Sequence, residues 1–220
     1  MINVLLEGYD LNAPWLSGAL KRYLLPSRKV AVIALSFRDS VVKTQDDWNA
    51  LYAKDGVYYS GIVGTLEGYG IPEQQIAFVN VFSDTPDMAN QKIREADILY
   101  FPGGLPDRMM DRIREMRIYD SILRHGGIML GYSAGALIQL REYHLTPDKD
   151  YPEFVYENGF PFIDDFYLEV HYEGTPEQTA SIERVLSERR KPVFATHFMQ
   201  GAIIVDNGKI ELIGKVSEFR

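Results

Sequence analysis

Five short apolar runs, each separated from the next by a stretch long enough for a helix, constrain the fold of this chain more than any other feature. The runs are "INVLLEG", "KVAVIALS", "QIAFVNVF", "DILYFPGG" and "GIMLGY". None alternates strictly between apolar and polar, so each predicts a strand covered on both faces. Between them, helical stretches are expected at Pro14–Leu25, Asp46–Tyr69, Thr85–Glu95 and Pro106–Arg124. Thr85-Pro86 and Leu105-Pro106 fit helix starts, because proline is tolerated in the first turn. This rhythm predicts an α/β fold with an open, mostly parallel sheet and helices on both faces. In such sheets, sites form at the carboxyl ends of the strands.

The rhythm stops after Ile138. Arg141–Asp165 is rich in Asp, Glu, Pro, Tyr and His and has no helical period, as in many functional loops. Order returns with "FYLEVHY" as a strand, Pro176–Arg190 as a helix and "PVFATHF" as a strand. The closing "GAIIVDNGKIELIG" holds two alternating runs about Asn207-Gly208, which predicts a C-terminal β-hairpin. No repeat or linker divides the chain, so residues 1–220 are expected to form a single domain.

"GYSAGALIQL" sits at one of the strand ends. In a G-x-S-x-G elbow, glycines let the chain turn sharply from strand to helix and lift the serine hydroxyl clear. The bland reading is a tight turn with a small residue in it. The apolar run before Ser133 and the helix formers after it favour a nucleophile, with the Ala134 amide placed for an oxyanion. Four histidines could supply the base. His125 fits a helix end, His144 lies in the irregular segment, and His197 and His171 follow or end strands. His171 is favoured because strand ends converge in a parallel sheet. Spacing leaves the orienting acid open among Asp148, Asp150, Glu169 and Glu173. In "YFPGGLPD", Gly104 could add a second amide to the oxyanion site.

Composition removes other classes. The chain has no cysteine, which excludes disulfides, thiolate metal sites and a cysteine nucleophile. A net charge of −8 makes nucleic acid and anionic membranes poor partners. No apolar run approaches the ~18 residues of a membrane span, and "MINVLLEGYD" turns acidic too soon for a signal peptide. Neither a phosphate loop, a dinucleotide fingerprint nor histidine metal spacing occurs, so no cofactor or metal is expected. A cytoplasmic protein, monomer or homodimer, is the expectation.

With these residues assembled, the chain resembles the dipeptidase E and cyanophycinase group of serine peptidases. That resemblance implies a three-layer αβα sandwich of the class I glutamine amidotransferase type. "GYSAGA" is similar to the family's nucleophile motif, and "DILYFPGG" resembles its oxyanion loop, which gives Ser133 and Gly104 those roles. "NGF" at Asn158–Phe160, then a strand ending in His171, resembles the approach to the catalytic histidine; the 38-residue serine-to-histidine interval is also similar. "SFRDSVVKTQDDWNALY" resembles the segment after the second strand, so the likeness runs from Met1 to Gly214. "LTPD" gives Asp148 the third role by resemblance to the dipeptidases, and "HYE" gives it to Glu173 by resemblance to the amidotransferases. Asp148 is slightly preferred. The family grips an aspartyl carboxylate with an arginine after the histidine, and here none occurs until Arg184. The resemblance therefore implies a Ser-His-Asp/Glu hydrolase of a small peptide or amide, without an implied Asp-X preference. Two alternatives remain: an α/β-hydrolase-type esterase using Ser133, Asp164 or Asp165, and His197, or a non-catalytic metabolite-binding protein keeping the fold.

Overall fold

A computed structural model describes residues 1–220. In chain order its elements begin β1 (Ile2–Leu6), α1 (Pro14–Leu20), β2 (Val30–Ile33), α2 (Gln45–Tyr52), α3 (Tyr59–Glu67), β3 (Ile76–Val79), α4 (Pro86–Glu95) and β4 (Ile98–Phe101). They continue with α5 (Pro106–Glu115), α6 (Tyr119–Leu123), β5 (Ile128–Tyr132), α7 (Ala134–Leu137), β6 (Glu142–Leu145) and β7 (Val155–Asn158). The chain closes with β8 (Tyr167–Tyr172), α8 (Pro176–Arg189), β9 (Val193–Asp206) and β10 (Lys209–Phe219).

The main sheet runs β10-β9-β1-β5-β4-β2-β3, with β1, β5, β4, β2 and β3 parallel. Successive residues of each parallel strand enter opposite cores, which is why the apolar runs lack alternation. Val4, Val30, Ile98 and Leu130 join Leu16, Trp48 and Leu66 of α1, α2 and α3 on one face. Leu5, Ala31, Leu99 and Met129 join Ile93, Met109 and Ile122 of α4, α5 and α6 on the other. The result is a mostly parallel αβα sandwich. No helix is long and apolar enough to cross a membrane.

Two expected helices are each split in two. Asp46–Tyr69 breaks where Asp55 takes φ +71°, and Pro106–Arg124 breaks where Arg117 takes φ +56°. At Arg117 the left-handed residue ends α5 by turning the next N–H away from its ladder, whereas α2 ends where Ala53 becomes extended, before the turn through Asp55. The irregular segment also holds more order than its composition suggests: β6 and β7 pair as an antiparallel hairpin. "PVFATHF" and the first arm of the terminal hairpin form the single strand β9. Asn207 (φ +48°) and Gly208 (φ +82°) make the expected turn into β10.

One feature of this topology positions the site. Along the same edge of β9, opposite β10, lie two strands. β8 runs parallel to its first half and β1 antiparallel to its second. Tyr172 pairs with His197, and Leu6 pairs with Ala202. The carboxyl ends of β8 and β1 therefore point at each other across residues 198–201.

Candidate active site

Ser133 lies between β5 and α7 with φ +51° and ψ −115°. Its amide donates to Leu6 O (2.9 Å), and its carbonyl accepts from Ala136 and Leu137. The flanking glycines serve close approach: a Cβ on Gly131 would lie 2.1 Å from Gly135 O, and one on Gly135 would lie 1.9 Å from Phe101 O. The positive φ belongs to the serine itself. Holding a side chain there costs about 1–3 kcal/mol. Ser133→Gly is therefore expected to stabilise the fold by about 1 kcal/mol, strain relief outweighing the ~0.4–1 kcal/mol of added unfolded-state entropy. A lower urea midpoint for this variant would contradict the strain.

Ser133 Oγ donates to His171 Nε2 at 2.8 Å. On the far side of the ring, Nδ1 donates to Glu7 Oε1. A carboxylate only accepts, so the ring proton resides on Nδ1 and leaves Nε2 free to accept from the serine. Glu7 follows β1 directly and is 1% exposed; its second oxygen accepts the Met199 amide at 2.5 Å. His171 and Met199 also have positive φ, +54° and +53°, so three strained residues meet at one point. Gln178, in the first turn of α8, pins the histidine's turn. Its Nε2 donates to His171 O (2.9 Å), and its Oε1 accepts from the amides of Glu173 (2.9 Å) and Gly174 (3.1 Å).

Beside Ser133, Gly104 has φ +138°, and a Cβ there would fall 2.3 Å from Ser36 O. Ser36 Oγ donates to Gly103 O (2.6 Å) and Ser36 O accepts from the Leu105 amide (2.8 Å), holding this loop against the segment after β2. The Gly104 amide has no acceptor in the protein. Ala134 is the first residue of α7, where an amide has no intrahelical acceptor.

The other candidates are placed elsewhere. Asp148 turns its carboxylate onto its own loop, accepting from the amides of Asp150 (2.7 Å) and Tyr151 (2.8 Å). Glu173 is exposed and has no bond to His171. Asp150 pairs bidentately with Arg38, which holds its carboxyl below the usual range. Glu169 is buried, accepting from His144 Nε2 (2.7 Å) and Thr146 Oγ1 (2.8 Å). His197 bonds to Ser217 Oγ at 2.8 Å, and burial lowers its pKa; Asp164 bridges Arg141 and Lys191. The esterase arrangement with His197 is thus not assembled. His125 meets Ala96 O (2.9 Å), and burial lowers its pKa as well.

Sequence reasoning did not single out Glu7, the carboxylate that meets His171 in the structure. Its one local signal is a carboxylate directly after an apolar strand, the same kind of place that Ser133 and His171 occupy. No three His, Asp or Glu side chains gather as a metal-ligand group.

A Listeria monocytogenes EGD-e protein assigned as a peptidase E shares the fold, with a TM-score of 0.68 at 15% identity over 97% of this chain and 98% of that one. A peptidase from an acI-B1 Actinobacterium is similar at TM-score 0.65 and 14% identity, over 99% and 93%. No curated protein matches in sequence. The family model for peptidase family S51 matches residues 52–213, a span that includes Gly104, Ser133 and His171 but not Glu7. The chain therefore belongs to peptidase family S51, the dipeptidase E family of serine peptidases.

Proposed function

We propose that this serine peptidase hydrolyses small peptides or amides with Ser133 as nucleophile, His171 as general base and acid, and Glu7 as the orienting acid. The observation that carries the reading is the continuous hydrogen-bonded chain from Ser133 Oγ through His171 to the buried Glu7 carboxylate. Ser133 Oγ attacks the scissile carbonyl as its proton passes to His171 Nε2. The imidazolium that forms is stabilised by Glu7, a charge already desolvated and held by the Met199 amide. The amides of Gly104 and Ala134 donate to the oxyanion. His171 then protonates the leaving amine, the C–N bond breaks, and an acyl ester remains on Ser133. Water repeats the sequence with the same base, releasing the acid and restoring the serine.

Each part sits at a strand carboxyl end or in the loop that follows one: Ser133 after β5, His171 near the end of β8, Glu7 after β1 and Gly104 after β4. The serine stays rigid because its turn is locked by backbone contacts, which favours a preorganised site.

Labelling with a fluorophosphonate probe tests the assignment. The wild-type protein is expected to form one adduct, at Ser133 by peptide mapping, and Ser133→Ala none. An unlabelled wild type, or an equally labelled Ser133→Ala protein, would overturn it.

A further inference from the structure

Gly104, Ser133 and His171 lie at the junction of two cavities of unlike chemistry. One, of about 600 Å³, is walled by polar groups including Thr146, Asp148, Lys149, Glu177 and Gln178. The other, of about 640 Å³, is walled by Tyr9, Tyr52, Tyr58, Tyr132, Phe198 and Met199. This volume is in the range of small-ligand sites.

Several observations bear on what the aromatic cavity holds. Tyr9 (61% exposed), Tyr58 (47%), Phe198 (52%) and Met199 (39%) crowd around this one opening, although the fold buries most of its large apolar side chains. Apolar surface concentrated at a site marks a binding surface. The rings present edges and faces: Tyr9 meets Tyr132 edge-on at 6.2 Å, and Tyr52 meets Tyr58 at 5.5 Å. Edge-on and tilted contacts of this kind are the ones aromatic rings prefer when they pack together.

Charge points the same way. Apart from His171, the lining carries only two ionic groups, Glu7 and Arg38. Glu7 is engaged by His171 and the Met199 amide, and Arg38 is engaged by Asp150. An acidic side chain entering would have to compete with Asp150 for Arg38, and a cationic one with His171 and the Met199 amide for Glu7. The wall is also held in place from behind. Buried Arg112 donates to Leu35 O (2.6 Å) and Phe37 O (2.8 Å), and its guanidinium stacks 3.7 Å over the Phe37 ring.

We propose that this cavity is the specificity pocket for an aromatic side chain, so that the preferred substrates are short peptides carrying Phe, Tyr or Trp beside the scissile bond. The inference rests on Ser133 being the nucleophile, and its test separates the two. Hydrolysis of Phe-Ala, Ala-Phe, Ala-Ala, Asp-Ala and Lys-Ala is compared through kcat/KM, alongside fluorophosphonate labelling of the same preparation. At least one aromatic dipeptide is expected to exceed the other three by about tenfold or more. Tyr9→Ser and Tyr58→Ser, at exposed rings, are each expected to shrink that ratio about three- to tenfold, chiefly through KM. Protein that labels at Ser133 but prefers Asp-Ala or Lys-Ala, shows no aromatic preference, or cleaves neither aromatic dipeptide overturns the pocket. Protein that does not label overturns the nucleophile assignment, and the pocket with it.

Discussion

Glu7→Gln is expected to lower kcat by about 10³–10⁴-fold while the protein stays folded. The reason lies in the two partners of this carboxylate. The Met199 amide only donates, so it claims the glutamine oxygen and turns the side-chain NH2 toward His171 Nδ1. Two donors cannot share that contact. The ring then carries its proton on Nε2, where it donates to Ser133 instead of accepting from it, and the serine loses its base. Because the substituted amide is neutral and nearly isosteric with the carboxylate, no uncompensated buried charge is created, and the urea midpoint should move little. Asp148→Asn and Glu173→Gln are expected to stay within about threefold of wild type, since neither carboxylate meets the imidazole. Steady-state kinetics on any cleaved peptide, or the rate of fluorophosphonate labelling, makes the comparison. Activity of Glu7→Gln within tenfold of wild type, or a collapse in Asp148→Asn, would remove Glu7 from the role.

The second large effect concerns Gly135, where two principles predict opposite signs. In a helix, alanine is more favourable than glycine by about 1 kcal/mol. Against this, the added methyl would sit 1.9 Å from Phe101 O and 2.6 Å from its carbonyl carbon. Both contacts are with the backbone of β4, in the middle of the sheet, so nothing flexible can yield. Sterics are expected to win, with a loss of about 3 kcal/mol or more. Displacing α7 would also move the Ala134 amide and Ser133, and a shift of about 1 Å at a reacting group costs about 10² in rate. Urea denaturation and labelling rate report the two consequences separately. A Gly135→Ala protein as stable as wild type would show that α7 does not rest on β4 as closely as described.

These contacts explain which parts of the chain were legible. The parallel strands were readable because both faces of the sheet are covered, so burial alone writes an apolar run. Ser133 was readable because its elbow is local: the two glycines that admit α7 against β5 and β4 lie two residues away on either side. The hairpin at Asn207-Gly208 has the same origin. Splits in the helical stretches were less visible, since Asp55 and Arg117 adopt left-handed conformations that composition marks only weakly. In Arg141–Asp165, the short β6–β7 hairpin carries few of the periodic residues that announce a strand.

Glu7 was barely legible as the partner of His171, and the reason is topological. Asp148 and Glu173 are near His171 along the chain, whereas Glu7 is 164 residues away from it. No periodicity or spacing encodes that pairing. It arises because β8 and β1 approach each other head-on along one edge of β9, bringing the residues at their carboxyl ends together at Met199. The sequence by itself determined the parallel sandwich, the serine elbow and the histidine at a strand end, all through local packing and turn chemistry. Only the tertiary structure decided which carboxylate faces the imidazole and that the cleft has an aromatic side. Both depend on segments far apart in the chain being brought into contact.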